Sequence, residues 1–169
     1  AERAIVSRLT SSLKVPREQR PERIESLVAD LKAAEKRIAA FEASRLSGRV
    51  PALVESATRV GPYLAVVEDA GELGSSDELR SLVTSVRERL GSDPTVTAIA
   101  ARVGGKPSVV VATSPAARDL GAKAGALVKR AAATLGGGGG GEDDLAQGGG
   151  SDATAIGAAL DGVTAALRG

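Results

Sequence analysis

The chain has 169 residues, 43% of them hydrophobic and 25% charged, with a formal net charge of +1, a composition that fits one globular domain or two small ones. It holds no cysteine and no histidine, which excludes disulfides, zinc sites and histidine-based catalytic triads. No signal peptide and no apolar stretch of membrane-spanning length is present, so a cytoplasmic location without a membrane partner is expected.

In chain order, residues 1–45 read as two helices joined by a short turn. Ile5, Leu9, Ser12 and Leu13 recur at helical spacing, and Val15-Pro16 ends the first helix. In the second, Pro21 suits the first helical position, and Ile24, Leu27, Leu31, Ala34, Ile38 and Phe41 follow the alternating steps of a heptad seam. Two readings stay open for that seam: an antiparallel hairpin within the chain, or contact with a second copy. A start at Ala1, already inside a helical pattern, suggests a piece of a longer protein.

After Gly48 and Pro51 the pattern predicts a weak helix over Ala52–Val60, ended by Gly61-Pro62. Tyr63–Val67 reads as a buried strand closed by Glu68 and Asp69. Ser76 is the expected cap of a helix over Asp77–Leu90, with Gly91 as its stop. Two strands follow, Val96–Val103 and Ser108–Ala112, and Gly104-Gly105 between them signals an antiparallel hairpin. The continuous apolar run Val109–Val111 marks the second of these as a central strand. Ser114-Pro115 opens a brief helix to Leu120, and a longer helix spans Ala122–Leu135, with Gly136 expected in a left-handed conformation at its end. Ser151 or Asp152 caps a last helix carrying Ile156, Leu160, Val163 and Leu167 on one side. The fold class is α+β: a coiled-coil-like helical hairpin over residues 1–46, then a small mixed α/β globular domain over residues 47–169.

Charge is uneven along the chain. Residues 1–45 carry ten Lys/Arg against seven Asp/Glu, whereas residues 46–169 carry twelve against fourteen. Within the second part, Arg102, Lys106, Arg118, Lys123, Lys129 and Arg130 face only Asp119 across residues 102–130. A basic island of this kind supplies phosphate contacts to a polyanion, and scattered surface cations would look the same in a sequence. Directly after it comes Gly136–Gly150, GGGGGGEDDLAQGGG. Polyglycine carries the greatest backbone entropy and reads first as a linker. It reads equally as a backbone-lined loop, with Asp144 and Gln147 fastening its ends and its N–H groups free to approach a phosphate, or as a loop that only wraps a sheet edge. Glu142, Asp143 and Asp144 are adjacent and acidic, a solvated run rather than a metal-ligand set, so no metal and no cofactor is expected. A dinucleotide fingerprint forced onto the run fails because a helix, not a strand, precedes it.

Lys123-Ala124-Gly125 and Leu127-Val128-Lys129, followed by GGGGGGEDDLAQGGG, resemble the carboxy-terminal domain of alanyl-tRNA synthetases, whose typical form is KAGELVK, a glycine run and (R/K)xD(M/I)AQ(A/G)GG. Leu13-Lys14-Val15-Pro16 and Pro21-Glu22-Arg23 look like the segment joining that domain to the editing domain. One position departs: Glu142 stands where the family often has Lys or Arg. The resemblance implies a non-catalytic domain, similar to the substrate-binding domain of DHH-type phosphoesterases, that grips the outer corner of tRNA(Ala) and ties the upstream aminoacylation and editing domains to one bound tRNA. In some members it also carries a homodimer contact. The residues expected to meet tRNA are Lys123, Lys129, Arg130, Gly137, Gly138, Gly139, Gly140, Gly141 and Gln147, with Asp144 and Gln147 as loop anchors. A phosphodiesterase accessory domain is the alternative, but its glycine motif carries a histidine and this chain has none. A dimerisation module alone is the third reading. With one Tyr and one Phe, stacking of bases on aromatic platforms is not the binding mode, which leaves shape recognition through phosphates and 2′-hydroxyls.

Overall fold

The computed structural model describes residues 20–169. The first helix of the expected hairpin lies outside the described residues. The chain divides into two compact units, Ala1–Ser44 and Arg45–Gly169.

Helix α1 spans Arg20–Glu55 without the break expected at Gly48 and Pro51. Pro51 removes its own N–H bond to the Ser47 carbonyl and crowds that oxygen, but both residues are exposed, so the freed oxygen faces solvent. Meanwhile Leu46, Val50, Leu53 and Val54 keep helical spacing and pack into the core, which carries the helix across the proline. The expected helix over Ala52–Val60 is therefore wrong in its second half. Thr58–Val60 is a strand, β1, because Gly61, at φ +59, and Pro62 form a tight turn that folds it back on Tyr63–Ala65.

Strand β2, Tyr63–Leu73, runs past its expected end at Val67. Glu68 and Asp69 do not stop it, since β3, Thr95–Val103, continues the parallel ladder through Asp69↔Ala100 and resumes at Glu72↔Arg102 after a bulge. Helix α2, Ser76–Leu90, is capped by Ser75 rather than Ser76: the Ser75 hydroxyl accepts from Glu78 N at 3.2 Å, and Glu78 Oε2 accepts from Gly74 N at 3.0 Å. Strand β4, Lys106–Thr113, pairs antiparallel with β3 across Gly104 and Gly105, both at positive φ as the two-residue turn requires. Helix α3, Pro115–Asp119, is capped by Ser114, and α4 spans Ala124–Thr134, with Gly136 at φ +73 beyond its end. Asp152 caps a 3-10 turn, Ala153–Ala155, that leads into α5, Ile156–Arg168.

The glycine run is neither linker nor loop. Gly138–Gly141 form an edge strand, β5, hydrogen-bonded to β6, Leu145–Gly149, which in turn pairs with β4. The sheet order is β1-β2-β3-β4-β6-β5, with β2 and β3 parallel and every other pair antiparallel. One face packs on α4 and α5 through an alanine-rich core that includes Ala98, Ala100, Ala124, Ala131 and Ala159. The other packs on α2 and the end of α1 through Leu79, Leu82, Val86 and Ile99. Full burial of each large side chain there contributes about 1.5–3 kcal/mol before the entropy of ordering is counted.

Candidate nucleic-acid interface

Glycine is required at some positions of the β5–β6 hairpin and not at others. A Cβ on Gly139 would sit 2.5 Å from Gly148 Cα and 2.7 Å from Val128 Cγ1, and one on Gly148 would sit 2.8 Å from the same Val128 methyl. A Cβ on Gly141 would meet Ala146 Cα at 2.6 Å, and one on Gly137 would overlap the Gly149 carbonyl. Gly139 and Gly148 let the hairpin lie directly against α4, where larger side chains would hold it off, and Gly137 and Gly141 leave room for the two strands to pair. Gly138 and Gly140 alternate with them and point to the opposite face. A Cβ on either meets nothing within 4 Å, and neither has a positive φ. Among the described residues, no packing contact and no positive φ explains why these two lack side chains.

The turn between the strands is clamped by three elements. The Asp143 carbonyl accepts from Thr113 Oγ1 at 2.7 Å and from Ala124 N at 2.9 Å; the Asp144 carbonyl accepts from Thr113 N at 2.9 Å and, more weakly, from Arg87 Nη1 at 3.4 Å. Lys123 Nζ lies 3.2 Å from Asp143 Oδ2, and Arg87 Nη1 lies 3.8 Å from Asp144 Oδ2. Gly125 completes the fit: a Cβ there would press on the Gly141 carbonyl at 3.2 Å. Lys123-Ala124-Gly125 thus dock the start of α4 onto the turn, which explains in physical terms why these two distant motifs occur together.

The residues expected at the interface fall on two sides of the hairpin. Lys129 and Arg130 are exposed on the outer side of α4, one face of the sheet, and make no ion pair among the described residues. Lys123 is partly neutralised by Asp143. Gln147 lies opposite Gly140 and therefore shares the other face with Gly138 and Gly140. That face borders a shallow depression of about 510 Å³ lined by Ser76, Lys106, Ser108, Gly138, Gln147 and Gly149 among others. Lys106 and Ser76 were not among the expected site residues. Lys106 belongs to the basic island, but only the pairing of β4 with β6 brings it to the glycines, and nothing in the sequence announces that register. Elsewhere in the island, Arg102 pairs with Asp69 at 3.6 Å and Arg118 donates to the Thr113 carbonyl at 2.8 Å. A second groove of about 600 Å³ at the opposite sheet edge mixes Arg59 and Arg168 with Glu68, Asp69 and Asp161, a balance that does not favour a polyanion. Among the described residues no group of three or more Asp, Glu, His or Cys converges, and no helix is long and apolar enough to cross a membrane.

Residues 62–169 match the family model of the DHHA1 domain. The alanine–tRNA ligase of Clavibacter sepedonicus is 63% identical over 166 residues, covering 98% of this chain and 19% of that protein. That of Kocuria rhizophila is 48% identical over 161 residues, covering 95% and 18%. The chain therefore spans about a fifth of the length of the curated relatives it matches. Among solved structures, the C-Ala domain from Aquifex aeolicus alanyl-tRNA synthetase superposes with a TM-score of 0.59 at 31% identity, over 67% of this chain and 98% of that one. A DHH domain from a member of a ribosomal protein family, with a TM-score of 0.53 at 14% identity over 87% of this chain and 34% of that one, shares the fold alone. The matched residues and the clamped glycine hairpin together show that the chain belongs to the DHHA1 domain family, as a C-Ala domain of the alanyl-tRNA synthetase kind.

Proposed function

We propose that this chain is the tRNA-binding, non-catalytic part of a cytoplasmic alanine–tRNA ligase, and that it grips the outer corner of tRNA(Ala) while the upstream aminoacylation and editing domains act on the same molecule. The observation that carries the reading is the pair Gly138 and Gly140. A Cβ on either would meet nothing among the described residues, whereas a sugar–phosphate backbone approaching the strand closely needs that space. Lys106 and Gln147 line the depression beside Gly138 with a cation and an amide, the groups that meet phosphate and 2′-hydroxyl oxygens. The test compares Gly138→Ala and Gly140→Ala with Gly139→Ala. The first two should keep the melting temperature and weaken binding of a tRNA(Ala) transcript by roughly fivefold or more, about 1 kcal/mol. Gly139→Ala should destabilise the hairpin itself, since its Cβ meets backbone and Val128. Full tRNA affinity in both Gly138→Ala and Gly140→Ala would remove this face from the interface.

A second reading, dimerisation through α1, is favoured by the exposure of its heptad positions: Leu31 is 60%, Ile38 57% and Phe41 67% accessible. Sedimentation of the chain with and without tRNA separates the two, because a dimer formed on the seam persists without RNA.

A further inference from the structure

We infer that Thr113 is a positioning residue for RNA binding, acting as the latch that holds the glycine strand in its binding-competent form; this rests on the proposed role of Gly138 and Gly140. Strand β5 is an edge strand of four glycines, with no side chain to pack and the largest loss of backbone freedom on ordering. Its order comes from its ends, from the ladder to β6 and from the contact of its backbone with Val128 on α4. At the start, Gly137 N donates to the Ala132 carbonyl at 2.9 Å, a continuation of α4. At the far end the Asp143 carbonyl accepts from the Thr113 hydroxyl and from Ala124 N, and the Asp144 carbonyl from the Thr113 amide and weakly from Arg87, so that Thr113 is the residue bonded to both. Thr113 is wholly buried and Asp143 exposed, so the hydroxyl bond is shielded from water on the donor's side. The neighbouring ion pairs contribute less: Lys123–Asp143 is solvent-exposed, and Arg87–Asp144 is long at 3.8 Å and half-exposed.

Segments held by so few contacts open locally with small free energies, and the apparent affinity of a ligand for such a segment scales with the fraction of time it is ordered. Thr113→Val keeps the shape and removes only the hydroxyl. The expected result is a rise of roughly three- to tenfold in amide exchange at Gly139–Asp144, with exchange in the β3 interior unchanged. Affinity for a tRNA(Ala) transcript falls by the ratio of the ordered fractions of the strand before and after substitution, a smaller factor than the rise in exchange, the salt dependence of binding stays constant because no phosphate contact is lost, and Thr113→Ser, which restores the donor, recovers both. A purely stabilising threonine would lower the melting temperature and leave tRNA affinity well below that transition untouched, and that result would overturn the inference, as would unchanged exchange in the glycine strand. If Thr113→Val fails to fold, exchange in the unsubstituted chain is the test: Gly139–Asp144 should exchange through local opening, well ahead of the β3 interior, and exchange only at the rate of global unfolding would overturn the latch. Failure of the underlying reading shows separately: a tRNA that binds the unsubstituted chain without slowing exchange at Gly138–Gly141 does not touch the strand.

Discussion

Thr95 and Thr97 are fully buried on β3, and the hydroxyls of both lack a hydrogen-bond partner among the described residues. Strand alternation puts them on the same face as Ile99, under α2, where an unpaired hydroxyl carries its desolvation cost uncompensated. Thr97→Val, which is isosteric, should be neutral or stabilise the chain by about 1 kcal/mol in denaturant unfolding; a loss of that size would mean the hydroxyl is bonded to buried water. Asp152 shows the reverse balance. The Thr154 side chain and amide both donate to its carboxylate and hold its pKa below the ordinary aspartate value of 3.8. A carboxylate with a depressed folded pKa adds stability above the unfolded value and loses it as pH falls through the folded one. An NMR titration of Asp152 should give a midpoint below 3.8, and Thr154→Ala should raise it. Single residues were partly legible in the sequence. Ser114 as a cap and Gly136 as a left-handed stop follow from local chemistry, and the structure places both there. The Lys123–Asp143 pair and the Thr113 latch were not readable, since each joins residues brought together only by the pairing of β4 with β6.

Elements with their own side-chain signal were the legible ones. The β3–β4 hairpin follows from β-branched runs around Gly104-Gly105, and α2 and α5 from apolar residues at helical spacing. β5 has no such signal, because glycine lacks a side chain to show period or burial, and only the ladder offered by β6 makes it a strand. The reading at Pro51 failed for the opposite reason: burial of Val50, Leu53 and Val54 outweighed a local breaker. The α1 seam was legible as a pattern but not as a contact. Leu31 is 60% exposed, so Leu31→Ala should cost less than about 1 kcal/mol in helical circular-dichroism melting, against about 2–5 kcal/mol for a leucine in a packed core. A loss in the larger range would show that another helix covers the seam.

At the scale of the whole molecule, charge is arranged about the hairpin and not only along the sequence. Lys129 and Arg130 stand on the α4 side, Lys106 beside the open glycine face, and Lys123 at the turn, where Asp143 lies 3.2 Å away. The basic island was visible in the sequence, but which of its members remain free was not, because Asp69, Asp143 and the Thr113 carbonyl engage half of it through tertiary contacts. Binding to a polyanion falls with salt in proportion to the number of phosphates neutralised, so each cation can be counted by its effect on that slope. Lys106→Gln, Lys129→Gln and Arg130→Gln should each weaken tRNA binding and lower the slope by roughly one counterion, without altering the preference among tRNA sequences. Lys123→Gln should lower it by less, since its charge is already opposed, and removing Asp143 by Asp143→Asn should raise the slope of the otherwise unsubstituted chain. A slope that drops for Lys106 alone would confine the RNA to the open glycine face. One that drops only for Lys129 and Arg130 would place it across α4 and leave Gly138 and Gly140 without a ligand, and a slope indifferent to all four would move the interface off the hairpin altogether.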